Sequence, residues 1–290
     1  MAVVERGERL TFWQRLTLRR LLRKARKGEG ESLTPEDWTA YFSLMEGSGR
    51  VVGKIIRSLP RSPRCGICGA PFAGIGGRLV RPLGYRPSRK NPHICATCVE
   101  MAPPGGFTTE TGVLFADLRG FTSLTERSEP EAVSALLGRF YACAEDVLFP
   151  KAVIDKLIGD EVMALYLPVF FKLDDPATLM LEQAQALLRR VGYGTPEGPF
   201  AEVGVGLDLG EAFVGNVGER SLFDFTAIGD VVNVAARLQG QARGGEIVLS
   251  GRLAERLAEP PGEPVELALK GKDRPVSAYR CPLPGASHSP

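Results

Sequence analysis

The cysteines carry the most explicit chemistry in this sequence. Cys65-Gly-Ile-Cys68 and Cys95-Ala-Thr-Cys98 are two C-x-x-C pairs separated by a 26-residue spacer. Facing each other, such pairs supply four thiolates in a tetrahedron, the closed coordination of structural zinc. An iron–sulfur cluster or a dithiol redox pair are the alternatives for this spacing, with zinc favoured. Gly74, Gly76, Gly77, Gly84, Pro82, Pro87 and Pro92 make the spacer loop-rich, so a bound ion would supply much of its folding free energy. Arg78, Arg81, Arg86, Arg89 and Lys90 would offset the negative charge that four thiolates leave around Zn²⁺. His93 beside the second pair reads as a neighbour of the site or a surface residue rather than a ligand. Cys143, in an apolar helical stretch, and Cys281, near the tail, read as unpaired thiols.

Carboxylates form the second group. Asp117 closes the apolar run Val113-Leu114-Phe115-Ala116 and is followed by Leu118-Arg119-Gly120-Phe121-Thr122-Ser123. An acid at a strand end, with a glycine turn opening a helix behind it, sits beside free backbone N–H groups. Such a corner can hold a cation and a phosphate together. Asp160, within Ile158-Gly159-Asp160-Glu161, is expected at the tip of a β-hairpin and is the natural partner carboxylate. Two acids on neighbouring strand ends suit a pair of Mg²⁺ or Mn²⁺ ions. Taken singly, each Asp is also what an ordinary turn uses.

The elements that must position these groups follow from periodicity. From Gly112 the pattern runs strand, helix, strand, strand, helix, strand. Val113–Ala116 reads as a short buried strand, and 130–149 as a helix with Ala132, Val133, Leu136, Leu137, Phe140 and Tyr141 inward. Residues 152–157 and 162–167 flank the hairpin tip, 176–191 form a second helix, and 203–209 begin another strand. Gly215-Asn-Val-Gly218 and Gly244-Gly245 read as turns. A mixed sheet with helices on one face is the expected α+β layering.

Three blocks in this region, taken together, are specific. Phe115-Ala-Asp117-Leu-Arg-Gly-Phe-Thr122, Asp155-Lys156-Leu-Ile-Gly-Asp160-Glu-Val-Met-Ala164 and Thr226-Ala-Ile-Gly-Asp-Val-Val-Asn233-Val-Ala-Ala-Arg237-Leu resemble the catalytic domain of class III nucleotidyl cyclases in order, spacing and apolar surroundings. The resemblance covers about residues 107–282. It implies a ferredoxin-like α+β cyclase domain, preceded in this chain by a small helical region and the four-cysteine knuckle.

By this resemblance Asp117 and Asp160 bind two Mg²⁺ or Mn²⁺ ions, with the Leu118 carbonyl assisting and the Gly120-Phe121-Thr122 turn against the phosphates. Asn233 orients the ribose, and Arg237, one helical turn on, neutralises charge on the α-phosphate. Lys270 or Lys272, in Leu-Lys-Gly-Lys-Asp, holds the outgoing phosphates. Lys156 and Thr226 fall where the family reads the purine. Lys156 can donate to adenine N1 and the Thr226 hydroxyl can accept from the N6 amine. Guanine would leave N–H donors unpaired there, costing about 1–3 kcal/mol per buried group. Thr226 departs from the animal pattern, which has Asp, and agrees with a bacterial subgroup. ATP is the expected substrate, with GTP, or a silent nucleotide-sensing or scaffold role, as alternatives. In this family the pocket lies between two cyclase domains, so a chain with one such domain and the complete residue set is expected to form a homodimer with shared sites.

Composition sets the frame. The chain has 290 residues, 44% apolar and 24% charged, which excludes collagen, coiled coil and wholesale disorder. The longest apolar stretch, from Val162 to Phe171, is about half a membrane span. MAVVERGERL shows no apolar leader, so a cytoplasmic protein without a transmembrane segment is expected. Residues 1–100 hold 19 Lys/Arg against 8 Asp/Glu, and 101–290 hold 17 against 26, a polarity that suggests two units with different tasks. The expected divisions are a basic helical region over 1–62, a cysteine module over 63–104, the cyclase domain over 105–282 and a tail over 283–290. Leu10, Trp13, Leu18, Leu21, Leu22 and Ala25 give the first region helical periodicity. Thr34-Pro35-Glu36-Asp37 would open a second helix. The charge of residues 1–100 also allows a nucleic-acid-binding module, but they show no stacking platform of interleaved aromatic and basic residues, so nucleic acid is not an expected partner.

Overall fold

The computed structural model describes residues 63–65, 68–88, 91–99, 105–149, 151–171, 173–219, 222–284 and 286. The helices expected within 1–62, Pro103 and Pro104 of the boundary, and residues 287–290 of the tail lie outside the described residues. The chain divides into two compact units: residues up to Ser88 with His93–Thr108 and Val214–Thr226, and Arg89–Pro92 with Thr109–Phe213 and Ala227–Pro290.

In the first unit the spacer between the cysteine pairs is less loop-like than its glycines imply. It holds a seven-residue helix, α1 (Gly74–Val80), and a 3₁₀ turn at Arg81–Leu83 that stops at Gly84. Short bridges, Arg64 to Pro71 and Pro87 to Cys95, tie the two knuckles back onto this piece. Ile94, Cys95, Ala96, Cys98 and Val99 have no exposed surface.

Strand β1 (Gly105–Leu118) is far longer than the expected four residues, because the Thr108-Thr109-Glu-Thr111 stretch extends it with β-branched residues. It is followed by α2 (Phe121–Thr125), α3 (Pro130–Leu148), β2 (Val153–Ile158), β3 (Glu161–Tyr166), α4 (Pro168–Phe171) and α5 (Pro176–Val191). Then come β4 (Val203–Glu219), β5 (Leu222–Ile228), α6 (Asp230–Gln241), β6 (Glu246–Ser250), α7 (Gly251–Ala254), β7 (Glu263–Leu267) and β8 (Val276–Pro282). The sheet order is β2-β3-β1-β4-β6-β8-β7, with β5 paired to β4. β4 and β6 run parallel, whereas β1 with β3, β2 with β3, β6 with β8 and β7 with β8 are antiparallel. The fold is thus α+β with an open mixed sheet. No helix among the described residues is long and apolar enough to cross a membrane.

One apolar cluster from β1, β3, α3, α5, β4 and β6 holds the second unit together, with Phe140, Tyr166, Met180 and Leu188 fully buried. The buried stripe of α3 is confined to its C-terminal half, at Phe140, Cys143, Ala144 and Leu148. Ala132 is exposed, and Val133, Leu136, Leu137 and Tyr141 are half-buried, against the inward face expected for all of them. Gly244-Gly245 is a turn, whereas Gly215-Asn-Val-Gly218 lies inside β4. Gly215 answers packing rather than reversal of the chain, as its close approach to β1 makes plain.

Gly206 shows how β4 carries α6. A Cβ there would overlap the Ala235 carbonyl and the Gln239 amide, so the helix lies directly on the strand. Gly206→Ala is expected to destabilise the protein by about 1–3 kcal/mol, as overpacking does, seen as a lower denaturant midpoint at unchanged slope.

Candidate active site

Asp117 is delivered by a strand end that has little freedom to move. Val113, Leu114 and Ala116 are fully buried, Phe115 nearly so, and the chain then turns at Gly120, whose φ of 71° caps α2. Pairing of Asp117 with Glu161 across β1 and β3 brings the Gly159-Asp160 hairpin tip alongside. The Tyr141 hydroxyl, from α3, donates to the Gly159 carbonyl and steadies that tip. Asp117, Asp160, Arg119 and the Leu118, Gly120, Phe121 and Thr122 turn line one cavity of about 310 Å³. The expected cation and phosphate groups are therefore brought together.

The electrostatics are those of a carboxylate pair short of positive charge. Asp117 is pushed up to about 7, first by burial and then by the neighbouring Asp160, while Arg119 pulls the other way. Glu161 is raised by burial and by Asp160 as well. Arg119 Nη2 bonds Asp117 Oδ2 at 2.6 Å, but Asp117 Oδ1 is buried with no hydrogen-bond partner among the described residues. An orphaned carboxylate oxygen on a residue that shares its cavity with a second carboxylate fits a hard divalent cation such as Mg²⁺ or Mn²⁺, which takes oxygen donors. Arg119 was not among the expected site residues. Its place two positions after Asp117, on the same side of the turn, is the signal that could have found it.

The nucleotide-facing candidates lie elsewhere. α6 buries Val231, Val234, Ala235, Leu238 and Gln239, leaving Asn233 exposed and Arg237 half-buried one turn further on. Gly271 lies against the Arg237 guanidinium, so the loop holding both lysines is beside that arginine. Lys272 Nζ is 2.6 Å from Asp230 Oδ1, and this contact leads the lowering of the Asp230 pKa; Lys270 is exposed. Below them, fully buried Asp208 accepts from Ser250 Oγ at 2.5 Å and Arg252 Nε at 2.7 Å. Lys156 is half-buried on β2, next to a bulge that inserts Asp155 between the residues opposite Ala164 and Met163. Thr226 is buried on β5. Neither Asn233, Arg237 nor Lys156 lines the Asp117–Asp160 cavity.

The four cysteines converge as expected. The Sγ atoms of Cys65, Cys68, Cys95 and Cys98 all lie within 4.8 Å of one another. Cys65 to Cys98 is 4.0 Å and Cys68 to Cys95 is 3.7 Å. The Cys95 amide donates to Cys65 Sγ at 3.2 Å, and Cys65 N to Ala70 O closes the first knuckle. Hydrogen bonds from the other three thiols hold the Cys65 thiol far below the usual range, while Cys95 and Cys98 are pushed above it. Crowded sulfurs that can carry few charges alone are what a divalent ion resolves. His93 is not part of the cluster, and Cys143 and Cys281 are separate free thiols.

Residues 107–276 match the adenylate and guanylate cyclase catalytic domain family, and the chain belongs to it. An adenylate cyclase of Anabaena cylindrica is 32% identical over 198 residues, 62% of this chain and 39% of that protein. An uncharacterised protein of Mycobacterium tuberculosis is 30% identical over 184 residues, 61% of this chain and 33% of its own. The match thus spans well under half the length of these relatives. Among solved structures, the guanylyl cyclase Cya2 aligns at 27% identity and TM-score 0.54, over 63% of this chain and 96% of that one. The adenylyl cyclase CyaB from P. aeruginosa aligns at 27% and 0.51, over 63% and 96%.

Proposed function

We propose that the protein is an adenylate cyclase converting ATP to 3′,5′-cyclic AMP and pyrophosphate at sites shared by two copies of the chain. One observation carries the reading. The chain holds a complete set of catalytic residue types, yet the cavity around Asp117 and Asp160 includes neither Asn233 nor Arg237. A second copy placed across that cavity would complete it, giving two equivalent sites related by a two-fold axis.

In this reaction the ribose 3′-oxygen bonds to the α-phosphorus, the bond from that phosphorus to the β-phosphate oxygen breaks, and the hydroxyl proton leaves to water or a carboxylate. Divalent ions, when bound, supply the charge that acidifies the 3′-hydroxyl and steadies the triphosphate. Asp117 and Asp160 would hold them, with the Leu118 carbonyl, and the Gly120-Phe121-Thr122 turn would face the phosphates. Arg237 of the partner copy would neutralise charge gathering on the α-phosphate, and Asn233 would fix the ribose; positioning and electrostatics suffice for such chemistry. Engagement of Lys272 by Asp230 supports exposed Lys270 as the residue that meets the outgoing phosphates. Lys156 and Thr226 would read adenine.

Turnover on ATP against GTP tests the substrate. ATP is expected to be preferred by about tenfold or more in kcat/KM, since each unpaired guanine donor removes roughly 1–3 kcal/mol. Lys156→Glu, which supplies an acceptor for the guanine N1–H, is expected to narrow or reverse that preference. The similarity to the guanylyl cyclase Cya2 supports the rival reading, and a wild-type preference for GTP would establish it. At the four cysteines we propose a structural Zn²⁺ ion, supported by the all-sulfur donor set; a cytoplasmic location accords with reduced thiols.

A further inference from the structure

The motif that catalysis leaves unused is the cysteine module, and its packing partner is informative. Residues Val214–Thr226, which hold the end of β4 and the start of its paired neighbour β5, belong to the same compact unit as the four cysteines rather than to the catalytic core. Two contacts within that unit join them. The Asn216 side chain, 2% exposed, donates from Nδ2 to the Val99 carbonyl at 3.1 Å. Next to it, Gly215 lies so close to the start of β1 that a Cβ would overlap the Gly105 carbonyl and Gly106 Cα. β4 therefore crosses the chain just where it leaves the second knuckle.

Val99 has little freedom of its own. It directly follows Cys98, is fully buried, and closes a turn in which Cys98 N bonds Cys95 O and Val99 N bonds Ala96 O. Its carbonyl points where the knuckle points it. Asn216 passes that placement to β4, β4 pairs with β5, and β5 carries Thr226 near its end. A buried amide bonded to a backbone carbonyl is costly to leave half-made, so this bond couples the knuckle to the hairpin.

We infer that metal loading at Cys65, Cys68, Cys95 and Cys98 controls nucleotide recognition by ordering the Val214–Thr226 hairpin through the Asn216–Val99 clasp. Asn216 is then a positioning residue that acts through Thr226, and the cysteine module is an input to the cyclase as well as a structural staple. The inference rests on the proposed metal site and on Thr226 as a base reader.

Three samples of the full chain test it: as purified, chelator-treated, and Asn216→Asp, which keeps size and shape but removes the donor. Amide hydrogen exchange over 214–226 is read together with metal content, and with KM, kcat and the ATP-to-GTP ratio. Chelated and Asn216→Asp protein should both lose protection over 214–226. Both should show nucleotide KM raised about tenfold, as losing about 1.4 kcal/mol of binding would give, with kcat changed much less and ATP preference reduced. Metal content should stay unchanged in Asn216→Asp. Asn216→Ser, which keeps a shorter donor, should recover part of the wild-type KM. Unchanged protection over 214–226 in Asn216→Asp overturns the inference, as does a metal-loaded chain whose hairpin ignores chelation. A chain purified without metal overturns the metal site first and this inference with it. Where chelation unfolds more than the hairpin, Asn216→Asp decides alone.

Discussion

Asp117→Ala and Arg237→Ala chains, each nearly inactive alone, should regain cyclase activity on mixing. Loss of Asp117 removes a carboxylate from the cavity it shares with Asp160, and loss of Arg237 removes the guanidinium beside the Lys270–Lys272 loop. Each change is expected to lower kcat by about 10²–10³, the usual cost of deleting one electrostatic contributor to a transition state. When the two chains pair, one site receives both defects and the other receives neither. Random re-pairing makes about half of the dimers mixed, so about a quarter of wild-type activity is the ceiling for shared two-fold sites. Sizing of the mixture shows whether mixed dimers form. Mixed dimers without recovered activity would reject the shared site, and an Arg237→Ala chain of full activity would reject the role of α6.

How much of the fold and the site was legible in the sequence depends on how far apart the interacting residues lie. Asp117 and Asp160 could be placed because each sits at the end of a short apolar run with a glycine turn beside it, and local patterns of that kind survive folding. The hairpin tip and the second long helix, over 176–191, were fixed the same way, by local periodicity. What escaped needed a partner from elsewhere in the chain. The bulge at Asp155, which re-aims Lys156, exists only because β3 is its neighbour. Arg119 is the exception: it pairs with Asp117, only two positions before it, so its signal was local. Gly215 looked like a turn residue because glycine serves both reversal and close approach. Only the nearby Gly105 carbonyl separates the two, and it comes from more than a hundred residues upstream.

Replacing Cys65 and Cys98 together by Ser should give the largest loss of local stability in the molecule. The two sulfurs are 4.0 Å apart on opposite knuckles, so the change removes one ligand from each and leaves no closed site. Around them the module has few resources of its own: α1 has seven residues, and apart from it the described backbone of 63–99 makes only isolated bridges and turns. Metal binding in comparably small sites contributes about 10–16 kcal/mol, more than such a piece could replace by burial. Elemental analysis should find about one metal ion per wild-type chain and background levels in the double variant. Hydrogen exchange should then show 63–99 unprotected, while Leu114, Tyr166 and the rest of the main apolar cluster stay protected. Iron with labile sulfide in the wild-type chain would replace zinc by a cluster. Retained protection over 63–99 in the double variant would show that packing around Ile94 and Val99, both fully buried, holds the module without a metal at all.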